Sequence, residues 1–406
     1  MRPAIKRTLL IIVLVLGLLI LAAAVFLYPY YRMPPESKSQ LDAALATYQA
    51  AGREMAARPK ADREALETLI QEVKPLLEKQ KDWPKGEGCP PYDVKQLLEQ
   101  ESIIKQLQSY GTRFQAMMYS HFTLQQDADM DAEIMQFTFI RQFIYWLLGG
   151  AVLDFQQGRR MDTISRIAAM IKFDNVLFQT PTLIYNMMAV ALNMKIYQAI
   201  VFIMPHLTEG EIDQLADMLK KMPDARAALI QAMEIETTGL IQMLDAYQTN
   251  PDAIDKAGKP ISKDEKSMRT LFRLARSTGY LKRERYQYLS FVGREIKAMQ
   301  AWVNAGGKEP YRSPVGREII YCPLVANSWP NWATLMEKAS DDLQRRQAVI
   351  AALQMVRERN RAGDKKTVEL PYLASSGGSP GRLVINQDYG CILPAGQAEE
   401  VKPSAK

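Results

Sequence analysis

The chain has 406 residues, of which 48% are hydrophobic and 24% charged, and a formal net charge of +6. Arg2, Lys6, Arg7 and Arg32 supply much of that excess, with no acid among the first 32 residues; the remaining 374 carry 47 basic against 45 acidic groups. The basic balance therefore reports the N-terminal flank and argues against nucleic acid as a partner, while two histidines leave almost nothing for a His-based triad or zinc site.

Leu9 to Leu27 form an unbroken apolar run of 19 residues, followed by Tyr28, Tyr30, Tyr31 and Arg32. At about 1.5 Å per residue the run reaches roughly 28 Å, the thickness of a bilayer core. The preceding cations place the N-terminus in the cytoplasm and the tyrosines at the interface. Residues 1–32 are thus predicted to be a cytoplasmic stub and a single-pass anchor meeting the membrane over residues 8–28. The bulk of the chain is then predicted to lie outside the inner (cytoplasmic) membrane. A cleaved signal peptide ending at Ala22, Ala23 and Ala24 is the alternative, but the apolar run outlasts a signal core. Both readings export the rest of the chain.

Pro34 and Pro35 separate the anchor from a succession of predicted helices. These fall near 38–57 and 61–80, then from Asp93 to about Gln125 with a break at Gly111. Trp83 to Pro91 reads as a loop. Ile134 to Phe155 and Leu183 to Met204 are apolar enough to suggest membrane spans. The first, however, carries Arg141, Gln142 and Asp154, and the second Asn186, Asn193 and Lys195. A cation near a span centre costs about 2.5–3.5 kcal/mol, so core helices fit better. Thr180-Pro181 reads as a helix start; Thr208-Glu-Gly-Glu211 and Ser262-Lys-Asp-Glu265 fit the capping box. Further helices are predicted over Leu281–Val303 and Asn331–Arg361.

After Gly363 the pattern turns to short strands, around Thr367–Leu370, Arg382–Gln387 and Tyr389–Leu393, with a polar, disordered tail from Ala395. The predicted organisation is an extracytoplasmic helical domain over 33–362, a short-strand cap over 363–394 and a tail over 395–406. Cys322 and Cys391 lie in extended-looking segments, and a bridge between them would clip the cap to the body; unpaired buried thiols are the alternative.

Three stretches, Phe155-Gln-Gln-Gly-Arg-Arg-Met-Asp-Thr-Ile-Ser-Arg-Ile, Gln179-Thr-Pro-Thr-Leu-Ile-Tyr-Asn-Met-Met-Ala-Val-Ala and Gln344-Arg-Arg-Gln-Ala-Val-Ile-Ala-Ala-Leu-Gln-Met-Val-Arg, stand ahead of that tail. Together they resemble a group of N-terminally anchored bacterial helical proteins, and the tail helix and strands are similar to the C-terminal part of pseudopilins. The resemblance covers residues 130–395. It implies an anchored helical body and no particular activity. Pilus assembly is not implied, because pseudopilins place the membrane helix directly before the tail.

Candidate chemistry is sparse. Asp127-Ala-Asp-Met-Asp131-Ala-Glu133 starts like a calcium loop, but the sixth and twelfth positions hold Ala132 and Thr138 instead of Gly and Glu, so an acidic helix N-terminus is the simpler reading. His206 follows Pro205 at the end of an apolar helix, as a capping or packed histidine. No nucleophile elbow or phosphate loop is present, and no cofactor is predicted. Arg269, Arg273, Arg276, Lys282, Arg283, Arg285, Arg294 and Lys297, interleaved with Tyr280, Tyr286, Tyr288 and Phe291, read as a solvated basic face or a surface for anionic polymer or lipid. Inside the apolar helices, Asn186 and Asn193 share a face, and Arg141 sits in the helix before. They line a groove between stacked helices or satisfy one another in the core.

The predicted fold is mainly α, with the body either a tetratricopeptide-like stack or an irregular helical domain. The predicted function is a membrane-tethered extracytoplasmic binding or scaffold protein with an envelope protein as partner. An envelope enzyme acting on a polymer through carboxylates is the alternative. Acids converging in a pocket would favour the enzyme; a groove without perturbed groups would favour the scaffold.

Overall fold

A computed structural model describes residues 34–56, 63–78, 98–99, 101–119, 130–179, 182–249, 277, 279–307, 309–316, 318–319, 322, 329–362, 368–372, 381–386 and 391–394. The apolar run at 9–27, the calcium-like acids Asp127 and Asp129, His121, Ser262, the arginines at 269, 273 and 276, Cys89 and the 395–406 tail lie outside these residues.

The described chain is mainly helical. Helices α1 (Lys38–Ala56), α2 (Arg63–Glu78), α3 (Glu101–Tyr119), α4 (Met130–Gln156), α5 (Arg160–Gln179) and α6 (Leu183–Ile203) come first. A 3-10 turn at Met204–His206 leads to α7 (Glu209–Lys220), α8 (Ala225–Thr249), α9 (Tyr280–Asn304) and α10 (Trp332–Ala362). Three short strands come last: β1 (Val368–Tyr372), β2 (Gly381–Asn386) and β3 (Cys391–Pro394) pair antiparallel in the order β1-β2-β3. The register sets Leu370 opposite Leu383 and Ile385 opposite Ile392.

The described chain divides into two compact units. The first comprises the described residues up to Ala51, Glu234–Ala298 and Ser313–Asn331. Leu41, Leu45, Leu244, Leu289, Phe291 and Val292 are buried in it, and polar pairs add to that core. Arg285 joins Asp42 at 2.9 Å and Asp245 at 3.0 Å, Ser290 donates to Glu36 at 2.8 Å and Ser313 to Glu295 at 2.6 Å. Tyr288 meets Trp329 edge-on at 5.9 Å.

The second unit comprises Gly52–Met233, Met299–Arg312 and the chain from Trp332. From α2 to α5 each helix packs against the next and the next but one, and α10 then packs against α6 and α7. α6 is, by length and composition, the one described helix apolar enough to cross a membrane. Its neighbours α4, α5 and α10 enclose it instead, and Leu192, Ile196, Ile200 and Ile203 are buried there. Burying one such side chain contributes roughly 1.5–3 kcal/mol, so this helix is the centre of the unit's core.

Two local expectations are corrected. α3 runs through Gly111 without a break. A Cβ at this position would lie 2.7 Å from Cδ2 of Leu147, so the glycine lets α4 approach. The α6 cap is Thr182, whose hydroxyl accepts from the Tyr185 amide at 3.3 Å, rather than Thr180. The capping box at Thr208 and Glu211 forms as the sequence predicts. The α4–α5 turn closes on Gly158 at φ +80°, with the Arg159 amide bonding the Asp154 carbonyl at 2.8 Å as in a glycine-capped helix end.

Candidate functional site

The chemically richest place in the second unit is a sealed polar cluster where α5, α6 and α10 meet. Asp174 of α5, Asn193 and Tyr197 of α6, and Asp342 and Arg346 of α10 are all buried, the first three with no exposed surface. Helical spacing aligns them: Asn193 and Tyr197, and Asp342 and Arg346, are each four apart and so share a face. The Asn193 side chain donates to Asp342 Oδ2 at 3.2 Å. Arg346 Nη1 donates to the carbonyls of Met222 and Pro223, both at 2.8 Å. Both carboxylate oxygens of Asp174, Oδ1 of Asn193 and the Tyr197 hydroxyl have no hydrogen bond of normal geometry. Burial, then the neighbouring Asp342, raises the Asp174 carboxyl well above its ordinary range. Burial also pushes Asp342 up, to about 7, against the pull of Arg346 and Asn193. Tyr197 is raised by the same enclosure. A third buried acid, Asp154, is satisfied differently, by Arg159 and by Arg166, whose Nε lies 2.9 Å from Oδ2.

The three predicted binding residues do not converge on one groove. Asn186 and Asn193 are wholly buried, and they point to different neighbours: Asn186 donates to the Ala228 carbonyl of α8 at 3.0 Å, Asn193 to α10. Arg141 is exposed on α4. The residues that complete the buried cluster, Asp174, Tyr197, Asp342 and Arg346, escaped the sequence reading. The available signal was a lone aspartate inside Phe173-Asp-Asn-Val-Leu-Phe178 and the Asp342/Arg346 spacing.

The proposed Cys322–Cys391 bridge is not formed: Cys322 is a free, fully buried thiol. Its Sγ accepts from Arg283 Nη1 at 3.0 Å, and burial pushes the thiol up to about 12. The Arg283 contact also corrects the basic face. Arg283 is buried, Arg285 is held by two acids and Arg294 pairs with Glu318 at 3.0 Å. Tyr286, Tyr288 and Phe291 are buried too, leaving Lys282 and Lys297 exposed. His206 is exposed, its carbonyl accepting from Arg160 at 2.5 Å.

Cations without ion pairs occur elsewhere, across the outward stripe of α6. Lys195 Nζ lies 5.7 Å from the Tyr145 ring centre on α4. Arg141, one turn before Tyr145, acts on the same phenol. On the other flank, Arg345 Nη1 of α10 approaches Met194 Sδ at 3.5 Å. Burial pulls the Lys195 ammonium down. Among the described residues none of the three cations makes an ion pair, whereas Arg160, Arg357 and Arg361 are paired with Glu211, Asp213 and Glu209. The strip from Arg141 through Lys195 to Arg345 can therefore take an anionic ligand.

No protein-family model, curated protein or solved structure matches this chain.

Proposed function

We propose that the protein is a membrane-tethered, extracytoplasmic binding or scaffold protein. The apolar run at 9–27 with its preceding cations is the tether, the second unit is a solenoid-like helical stack, and the C-terminal strands form a small cap on it. Packing of each helix from α2 to α5 on the next two is the contact pattern of stacked repeats and supports the solenoid reading. The placing of β1 beside α10 and β3 beside α6 supports the cap.

The observation that carries the binding reading is the Arg141–Lys195–Arg345 strip. Cations left without ion pairs on three helices, flanked by Tyr145 and Met194, suit an acidic polypeptide segment laid across α4, α6 and α10. An enzyme acting through carboxylates needs them open to substrate, whereas Asp174 has no exposed surface and Asp342 4%.

The test uses the full chain in its native membranes, with a photo-crosslinking side chain at Gln142, exposed beside Arg141. Crosslinking to an acidic envelope protein, lost when Arg141, Lys195 and Arg345 are all changed to Glu, is the expected result. Identical products with and without the charge reversal would remove this surface from the function. External protease that leaves the body intact in spheroplasts would remove the topology.

A further inference from the structure

The buried cluster has a charge imbalance that its own geometry does not remove. Two carboxyl groups, Asp174 and Asp342, face a single enclosed guanidinium, Arg346. That guanidinium spends Nη1 on two carbonyls. The other groups acting on the pair are Tyr197 and Asn193 from α6 and Arg345 from α10, the last only partly enclosed. Asp224, ahead of α8, also feels Arg346, but it is already bound by Arg226 at 2.7 Å. One negative charge can be offset by Arg346. A second, in a site this enclosed, carries a desolvation cost with no second buried cation to offset it.

The arrangement also distinguishes the two acids. Asp342 receives the Asn193 amide and shares a helix face with Arg346, so it gains from ionising. Asp174 accepts no hydrogen bond of normal geometry at either oxygen, and burial and the neighbouring Asp342 outweigh the pull of Arg346 and Asn193 on it. Two carboxyls in such a site titrate as a pair, releasing their protons in separate steps.

We infer that Asp174 and Asp342 hold one proton between them, forming an enclosed proton-binding site that keeps α10 docked on α6 while occupied. In the occupied state the O–H bond sits chiefly on Asp174, and the cluster carries one negative and one positive charge. When the proton passes to solvent, the electron pair stays on the carboxylate, the cluster holds two negative charges against one positive, and α10 loosens. This site does not rest on the binding reading, although Arg345 belongs to the strip and also acts on Asp342.

The experiment is infrared spectroscopy of the full-length protein in detergent micelles, labelled with carboxyl-13C aspartate. A protonated-carboxyl C=O band that shifts with the label and persists around pH 6, well above the ordinary aspartate range, is the expected result. Asp174→Asn abolishes it, and raising the pH removes it reversibly together with faster amide exchange on α10. Absence of the band around pH 6 overturns the inference. So does persistence of an undiminished band in both Asp174→Asn and Asp342→Asn. If the band is absent and added potassium or calcium chloride raises the melting temperature, a cation rather than a proton balances the pair and the inference also fails. Should Asp174→Asn not fold, the band in the labelled wild-type protein and its loss in Asp342→Asn decide. Arg141→Glu, which alters only the binding strip, leaves the band unchanged, so failure of the two readings is distinguishable.

Discussion

Asn193 donates its side-chain amide to Asp342 across 3.2 Å, joining two helices separated by 149 positions in sequence. The second amide on the same face of α6, Asn186, reaches only the Ala228 carbonyl, which lies within α8. The two amides therefore differ in what their loss leaves behind. Asn193→Ala strips a buried carboxylate of a donor and is expected to destabilise the second unit by about 1–3 kcal/mol. Asn186→Ala removes one hydrogen bond to a backbone acceptor and costs nearer ~1 kcal/mol. Chemical denaturation of both variants checks the order; equal losses would show that cavity formation, not the polar contact, sets the cost.

The carboxyl groups of the second unit respond to pH in opposite directions. Asp174 and Asp342 titrate as a pair raised by burial, Asp342 to about 7 in the folded protein, from unfolded values of about 3.9. The folded state binds more protons between those values, so stability falls as pH rises through the window, by up to about 1.4 kcal/mol per pH unit for one proton. Glu211 is held down to about 2, chiefly by Arg160, below an unfolded value of about 4.3. Its contribution is present above that value and is lost as pH falls toward 2. Melting temperature against pH should therefore slope downward from acid toward neutral in wild type and flatten in Asp342→Asn. Glu211→Gln should remove part of the loss at the acid end.

Glu211 also closes the α7 capping box, accepting from the Thr208 amide at 2.7 Å while Arg160 Nε approaches its other oxygen at 3.1 Å. Thr208→Ala is expected to cost about 1 kcal/mol, the usual value of an N-cap. The Arg160 bridge, partly exposed, adds less because solvent screens it. A double-mutant cycle on Thr208 and Arg160 tests this; a coupling larger than the cap itself would reverse the ranking.

Gly306 and Gly307 end α9 with φ of +91° and +63°, but only the second is also crowded. A Cβ on Gly307 would lie 2.8 Å from Arg226 Nη1 and 3.1 Å from the Trp302 ring, whereas one on Gly306 meets nothing within 4 Å. Gly306→Ala is expected to cost about 1 kcal/mol for the backbone conformation alone, and Gly307→Ala about 2 kcal/mol or more. Urea unfolding of the two variants provides the comparison.

Cys322 should resist alkylation in the folded protein. It is fully buried, and its thiol is pushed up to about 12, so almost no thiolate is present to react. Mass spectrometry after iodoacetamide treatment, with and without denaturant, reads this directly; rapid labelling of the native protein would contradict it.

Much of the helical architecture was legible along the chain. The sequence pattern predicted helices near 38–57, 183–204, 281–303 and 331–361, close to α1, α6, α9 and α10, and the Thr208–Glu211 pair the start of α7. Local interactions govern those choices. Gly111 shows where this ends: its composition reads as a break, yet contact with Leu147 of another helix makes it a close approach.

Local pattern settled that most of the described segments are helical. It also showed that residues such as Asn186 and Asn193 sit in apolar helices too polar to favour spanning a membrane. What those residues do came from packing. Asp174, Asn193 and Asp342 lie on three helices, and nothing in local spacing specifies which helix faces which. Their shared burial, unequal hydrogen bonding and proximity to a single arginine exist only after α10 returns to α6. The same holds for Cys322, whose partner is the Arg283 guanidinium rather than another cysteine. Electrostatics in an enclosed site depends on distance and water access, and both are properties of the folded arrangement.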